Sequence, residues 1–261
     1  MRRISLSLAV LAALWASPLL AAPQAKPVEW KIGKQVFSGY LVYDDANAMK
    51  RPGLVMVPDW LGVTPAAVDK ARQIAGDDYV VLVVDMYGKG VRPKDAAEAL
   101  TQVKKVYADV PMMRVRINKA VDALRTHAGD APLDPEKIAA LGFCFGGSSV
   151  LELARSGADV AGVVTFHGGL ATSMPAQPGV IKAPLLILNG ADDENTAPEI
   201  AGFEKEMDEA GADWQFVNFS GAVHCFALET ANSPPGCVYN ERAAKRAYKM
   251  MDDFLEEVFG E

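Results

Sequence analysis

Short apolar runs alternate with amphipathic segments along most of the chain. The apolar runs are rich in Val, Ile and Leu and end at turn residues, which is typical of strands buried on both faces of a parallel sheet. The segments between them repeat their apolar residues with helical spacing. Two earlier segments alternate apolar and polar residues, which predicts half-buried antiparallel strands at the sheet edge. The predicted strands cover 28–32, 36–43, 53–57, 79–84, 138–143, 160–166, 184–188 and 214–219, and the predicted helices cover 66–75, 94–106, 113–128, 148–155, 199–210 and 241–258.

This alternation predicts an α/β fold in which a doubly wound, mostly parallel sheet carries helices on both faces. The sequence contains no internal repeat, low-complexity tract or linker, so residues 23–261 are predicted to form a single domain. Half of the 261 residues are hydrophobic, which allows a sizeable core. A net charge of -7 without a basic cluster argues against a nucleic-acid partner and favours a small-molecule substrate.

Residues 1–22 have the layout of a signal peptide: two arginines, an apolar run over 4–16, and then small residues around Pro18. A membrane anchor is the alternative, but Pro18 and the small residues favour cleavage. We therefore expect a mature chain in the periplasm or outside the cell, without membrane association after cleavage. Three cysteines in an oxidising compartment suggest one disulfide and one free thiol.

The residues around Cys144 join a buried strand to a helix through a turn flanked by Gly142 and Gly146. This is the G-x-S-x-G nucleophile elbow with cysteine in the place of serine. The two glycines meet a steric demand, because strand and helix approach closely on either side of a strained nucleophile. The helix N-terminus favours a thiolate, and the backbone N–H of Phe145 is expected to point at the forming oxyanion. A structural cysteine beside a tight turn is the alternative.

Partners for Cys144 are expected on loops after later strands, in the order acid and then histidine. Asp192 and Asp193 follow the strand predicted over 184–188, and His224 follows the strand over 214–219. We expect His224 to take the thiol proton and later protonate the leaving group, while the acid orients the imidazole. The Gly-x-x-Asp spacing favours Asp193, and Asp192 remains the alternative.

The other two histidines fit this role less well. His127 lies near the end of a surface helix, where a solvated or capping residue is expected. His167 follows a strand and could line the pocket, but its loop is not the one that carries the base. The second oxyanion donor should come from the loop after an earlier strand, where the Trp60 N–H is the candidate. Asp59 beside it either contacts the thiol or the substrate, or serves as a cap or turn residue.

These motifs together resemble the dienelactone hydrolase family over nearly all of the mature chain. The matching stretches are 84–87, 142–147, 190–193 and 221–226. The resemblance implies an α/β-hydrolase fold, a triad of Cys144, His224 and Asp193, and no metal or organic cofactor. It also implies that the acid at Asp59 contacts the resting cysteine, that Trp60 gives an oxyanion N–H, and that Tyr87 is a pocket tyrosine.

Two departures from the family pattern affect the expected substrate. Leu228 and Lys89 stand where the family has arginines that bind the substrate carboxylate. Lysine is only a point-charge substitute for the guanidinium fork, so Lys89 is predicted to bind a changed, less anionic substrate. We expect an ester or lactone hydrolase. A thioesterase or peptidase with the same triad, or a ligand-binding protein without catalysis, are the alternatives.

Cys225 and Cys237 are twelve residues apart, across a loop rich in proline and glycine. We hypothesise that they form a disulfide that pins the loop of His224 and leaves Cys144 free. Two unpaired cysteines are the alternative.

Overall fold

The computed structural model describes residues 23–46 and 48–260, so the predicted signal peptide lies outside the described residues. Ten strands and six α-helices follow one another along this part of the chain. In order they are β1 (Gln24–Ile32), β2 (Gln35–Tyr43), β3 (Arg51–Val57), α1 (Pro65–Ala75), β4 (Val80–Val83), α2 (Ala96–Tyr107), α3 (Val110–Thr126), β5 (Leu133–Phe143), α4 (Phe145–Arg155), β6 (Val163–Phe166), β7 (Leu185–Gly190), α5 (Ile200–Ala210), β8 (Trp214–Phe219), β9 (Asn232–Ser233), β10 (Cys237–Val238) and α6 (Glu241–Phe259).

Eight strands form one sheet in the order β1-β2-β4-β3-β5-β6-β7-β8. The strand β2 runs antiparallel to β1 and to β4, and all other neighbours are parallel. The prediction of a mostly parallel sheet with antiparallel strands at one edge is confirmed. The short strands β9 and β10 pair separately as a hairpin.

Side chains of alternate residues along the strands enter cores on opposite faces of the sheet. In β3, Val55 and Val57 pack in one core, and Leu54 and Met56 pack in the other. The helices α2, α3, α4 and α5 cover the first core, whereas α1 and α6 cover the second. Helices on both faces are therefore confirmed, and the two-residue period of a strand explains how one sheet serves both cores.

Several elements begin at positions different from the predicted ones. Asp95 and Asp109 cap α2 and α3 by accepting hydrogen bonds from Glu98 N–H and Met112 N–H, and these caps fix where the two helices start. The helix α4 begins three residues early, at Phe145, because the elbow passes directly into the helix. In the described part of the chain, no helix combines the length and the apolarity needed to cross a bilayer.

Candidate active site

The backbone at Cys144 has the strained geometry expected of a nucleophile elbow. Cys144 adopts φ 53° and ψ -119°, which is uncommon for a residue other than glycine. A Cβ atom added to Gly142 would lie 2.1 Å from the Gly146 carbonyl oxygen. A Cβ added to Gly146 would lie 2.0 Å from the Val57 carbonyl oxygen. The steric reason for both glycines is confirmed, since no side chain fits between β5, α4 and β3.

Three loops at the carboxyl edge of the sheet bring Cys144, His224 and Asp193 into one hydrogen-bonded line. His224 Nε2 lies 3.0 Å from Cys144 Sγ, and His224 Nδ1 lies 2.7 Å from Asp193 Oδ2. Asp193 is buried, whereas Asp192 is exposed. The structure therefore brings Asp193 to the histidine, in agreement with the residue preferred from the sequence.

Hydrogen bonds hold the Asp193 carboxylate in place. Its Oδ1 accepts from the backbone N–H of Asn195 at 3.0 Å and from the Asn195 side-chain amide at 3.1 Å. Burial raises the pKa of Asp193, but the bonds to His224 and Asn195 outweigh burial and leave this pKa below its ordinary value. The carboxylate is therefore ionised at neutral pH. Asn195, two residues after the acid, is a support that the sequence analysis missed, and the D-x-N spacing of a side-chain turn was its signal.

His224 is charged at neutral pH in this arrangement. Burial lowers its pKa, but hydrogen bonds to Asp193 and Cys144 and the negative charges of these groups raise it to about 10. The imidazolium can then donate from both ring nitrogens, one proton toward the carboxylate and one toward the sulfur.

The loop after β3 is ordered by Asp59 and Tyr87. Asp59 Oδ1 accepts from the Leu61 N–H at 2.9 Å, and the Asp59 carbonyl accepts from the Gly62 N–H. The Tyr87 hydroxyl donates to the Trp60 carbonyl at 2.8 Å. These bonds do not use the Trp60 N–H.

Among the described residues, the Asp59 carboxylate accepts a hydrogen bond within its own turn and makes none to Cys144. The geometry supports a turn role for Asp59, the cap of α1 is Thr64 instead, and the predicted substrate contact of Asp59 stays a prediction. Burial raises the pKa of Asp59.

Tyr87 is itself held by a residue whose role the sequence analysis did not predict. The buried carboxylate of Asp85 accepts from the N–H groups of Tyr87 and Gly88, both at 2.9 Å. The ring of Tyr87 stacks on Phe145, with centroids 5.5 Å apart. Tyr87 therefore contacts both residues whose N–H groups were predicted to bind an oxyanion.

Lys89 lies at the surface, where its ammonium is 2.7 Å from the Glu29 carboxylate of β1. Both side chains are about half exposed. Exposed pairs contribute little to stability, so a substrate anion would compete with Glu29 for this cation. The predicted substrate contact of Lys89 stays a prediction.

His167 packs against His224, the middle residue of the three that form the hydrogen-bonded line. Its ring is fully buried, 4.9 Å from the His224 ring between centroids, and packs edge-on against Phe226. Neither ring nitrogen has a hydrogen-bond partner on another of the described residues. Burial, and then the charge of His224, lower its pKa well below the ordinary value, so the ring is neutral. The sequence suggested only that His167 could line the pocket.

A disulfide between Cys225 and Cys237 fixes the segment next to His224, with Cα atoms 5.0 Å apart. The Val238 N–H also donates to the His224 carbonyl at 3.1 Å. Cys144 is the remaining free thiol. The hypothesised pairing is confirmed.

A cavity of about 250 Å³ adjoins the elbow and the Asp59 loop. Phe143 and Leu228 form part of its apolar wall, and Lys70 contributes a cation that lies 3.5 Å from Glu229. Leu228 gives this cavity an apolar surface.

The sequence of this chain matches a known protein family. The model of the dienelactone hydrolase family matches residues 37–259. A Salmonella typhimurium protein, provisionally named a carboxymethylenebutenolidase, is 26% identical over 218 residues, covering 80% of this chain and 78% of its own.

Two solved structures are similar over more than nine-tenths of the chain. The structure titled m3DLH has a TM-score of 0.83 and 31% identity, and covers 92% of this chain and 100% of its own. A dienelactone hydrolase-like promiscuous phosphotriesterase from metagenomic libraries has a TM-score of 0.81 and 32% identity, and covers 91% and 99%. The α/β-hydrolase fold is thus confirmed. The chain is a hydrolase that belongs to the dienelactone hydrolase family.

Proposed function

We propose that this protein hydrolyses a small ester or lactone by covalent catalysis at Cys144, with His224 as acid and base and Asp193 as its orienting partner. The observation that carries the proposal is the line of contacts of 3.0 Å and 2.7 Å among three side chains from three separate loops. Such a line of nucleophile, base and orienting acid is the arrangement that acyl transfer requires.

In acylation, His224 Nε2 holds the proton of the Cys144 thiol across their contact of 3.0 Å, and a pKa raised to about 10 favours this protonated ring. The sulfur of Cys144 attacks the carbonyl carbon, and the C–O bond to the leaving alcohol breaks. His224 Nε2 gives its proton to the leaving oxygen. In a second step the neutral His224 takes a proton from water, the hydroxide attacks the thioester, and the acid product leaves with the thiolate restored.

The developing oxyanion is proposed to bind the N–H groups of Trp60 and Phe145. Phe145 is the first residue of α4, where helical N–H groups lack partners within the helix. The Trp60 N–H is left out of the turn bonds that Asp59 makes, and Tyr87 fixes the Trp60 carbonyl. Asp59 lines the cavity beside this loop and Tyr87 holds the loop in place, which supports the proposal of a substrate pocket there.

The substrate is proposed to be less anionic than a dienelactone. Leu228 replaces a guanidinium with an apolar side chain in the cavity wall, and Lys89 already pairs with Glu29. An uncharged ester or lactone needs neither arginine for binding, whereas a substrate with a carboxylate loses a bidentate partner.

Hydrolysis of p-nitrophenyl acetate tests the proposal. The unmodified chain should release p-nitrophenolate faster than Cys144→Ala, and intact-mass measurement during turnover should find an acetyl group on Cys144. Equal rates for both proteins would favour a ligand-binding protein without catalysis. A panel of neutral and anionic esters, lactones, thioesters, peptides and a phosphotriester then ranks the substrate classes by kcat/KM, and a clear preference for anionic lactones would contradict the proposed substrate.

We also propose that residues 1–22 are removed during export to the periplasm or the medium. The disulfide of Cys225 and Cys237 supports an oxidising compartment. Cell fractionation with mass measurement of the recovered chain tests this, and an uncleaved chain in the cytosolic fraction would contradict it.

A further inference from the structure

We propose that Cys144, His167 and His224 form a binding site for Zn²⁺, and that zinc bound there reversibly blocks hydrolysis. One potential ligand atom from each of these residues lies within 4.8 Å of the other two. The proposal of zinc binding does not depend on the proposed function, whereas the proposal that zinc blocks hydrolysis rests on the proposed function of Cys144 and His224.

The chemistry of the three ligands selects zinc. Thiolate sulfur and imidazole nitrogen are the ligands that this borderline-soft ion prefers, and three protein ligands leave a fourth position open for water. With ordinary zinc distances, ligands in a tetrahedron lie roughly 3.5 Å apart. The contact of 3.0 Å between Cys144 and His224 must therefore widen slightly, and His167 must move inward.

His167 supplies the observation that points to a ligand. It is fully buried, its backbone is held at φ 42°, and neither of its ring nitrogens has a hydrogen-bond partner on another described residue. A buried polar atom without a partner costs free energy, so packing alone gives no reason for an imidazole between Phe143 and Phe226. A metal ion would give one of these nitrogens a partner.

Asp193 completes a support that metal-binding histidines commonly have. Its carboxylate accepts from His224 Nδ1 at 2.7 Å, which directs Nε2 toward the sulfur. A carboxylate behind a ligating histidine fixes the tautomer and raises the basicity of the ligand. When zinc binds, the proton on Nε2 goes to solvent, and the metal takes the nitrogen lone pair and the thiolate. Neither group is then available for acyl transfer.

Calorimetric titration of the full mature chain with Zn²⁺ tests binding without any use of activity. We expect about one zinc per chain, and loss of this site after Cys144 is alkylated with iodoacetamide. His167→Asn is the informative variant, because asparagine tolerates a positive φ. Zinc affinity should fall at least about 10–100-fold, the loss seen when even outer-shell partners are removed. His127→Asn is the matched control and should bind zinc like the unmodified chain.

Two further measurements identify the ligands and the consequence. Co²⁺ should give a thiolate-to-metal charge-transfer band that disappears in Cys144→Ala. Ester hydrolysis should be inhibited by Zn²⁺, restored by EDTA, and less sensitive to zinc in His167→Asn. Zinc binding that is unchanged in His167→Asn and in the alkylated chain would overturn the site. A protein that binds zinc at these residues but hydrolyses no ester would sink the proposed function instead.

Discussion

Replacing Asp193 with asparagine tests the hydrogen-bonded arrangement of Cys144, His224 and Asp193 at the contact between Asp193 and His224. The two side chains have the same shape, but an amide nitrogen donates where a carboxylate oxygen accepts. Asn195 donates two hydrogen bonds to the Oδ1 position, so the amide oxygen of Asp193→Asn should stay there. The amide nitrogen then lies at the Oδ2 position, facing His224 Nδ1.

This orientation forces the wrong tautomer on His224. Nδ1 must accept the amide proton, so the ring proton moves to Nε2, which can no longer take a proton from the Cys144 thiol or from water. The difference between the ordinary pKa of 6.5 and about 10 corresponds to about 5 kcal/mol. Asp193 supplies a large share of this energy, so we expect kcat to fall by roughly 10³–10⁴-fold.

Steady-state hydrolysis of p-nitrophenyl acetate measures the loss, and the melting temperature checks that the variant is folded. Asp192→Asn is the matched control, since Asp192 is exposed one residue away and should retain full activity. Adding Asn195→Ala to Asp193→Asn removes one of the two donors that fix the amide, so part of the activity should return. An Asp193→Asn variant as active as the unmodified chain, or a damaging Asp192→Asn, would refute the reasoning.

Three other predictions concern the acid, the elbow and the disulfide. The kcat/KM of the unmodified chain should decline as pH rises through about 10, because the His224 imidazolium that protonates the leaving group is lost above its pKa; a pH–rate profile measures this. Gly146→Ala should lower the melting temperature by about 2–12 °C, since overpacking costs about 1–3 kcal/mol. Replacing both Cys225 and Cys237 with serine should lower the free energy of unfolding in urea by about 3 kcal/mol, the entropy of closing a twelve-residue loop.

Each of these predictions has an outcome that contradicts it. A rate that stays constant above pH 10 would mean that the imidazolium of His224 is not the acid. Gly202→Ala is the control for the elbow, because its added Cβ meets no atom within 4 Å on an exposed helix position. If Gly146→Ala were as stable as Gly202→Ala, the close approach of α4 and β3 would be wrong. Unchanged unfolding of the double serine variant would show that the disulfide contributes no stability.

The elbow at Cys144 could be predicted because its glycines lie next to it in the sequence. The positions of His224 and Asp193 beside it could be predicted from the topology of the sheet. The glycines beside Cys144 are required by a close approach that any elbow has. The choice of His224 and Asp193 follows from chain order, since the carboxyl ends of parallel strands meet at one edge of the sheet. The hydrophobic pattern predicted the eight strands of the sheet, because each buried strand leaves a short apolar run in the sequence.

The remaining features depend on contacts between distant segments. Nothing near His167 in the sequence shows that its ring meets His224, because that contact needs the register of β6, β7 and β8. The sequence left the hydrogen-bond partner of Asp59 open, and only the position of Leu61 shows that the carboxylate accepts within its own turn. Helix starts were displaced where a capping aspartate or the elbow itself fixes the first turn.

The two proposed oxyanion donors are coupled through one tyrosine. The hydroxyl of Tyr87 fixes the Trp60 carbonyl, and its ring packs on Phe145, so the separation of the two loops depends on where Tyr87 lies. Asp85 sets that position through two backbone N–H groups and is almost fully buried. Donors that are already in place need no reorganisation when charge develops on the substrate oxygen. In the proposed mechanism, the stretch from Asp85 to Tyr87 therefore contributes by holding the donors, without supplying a reacting group.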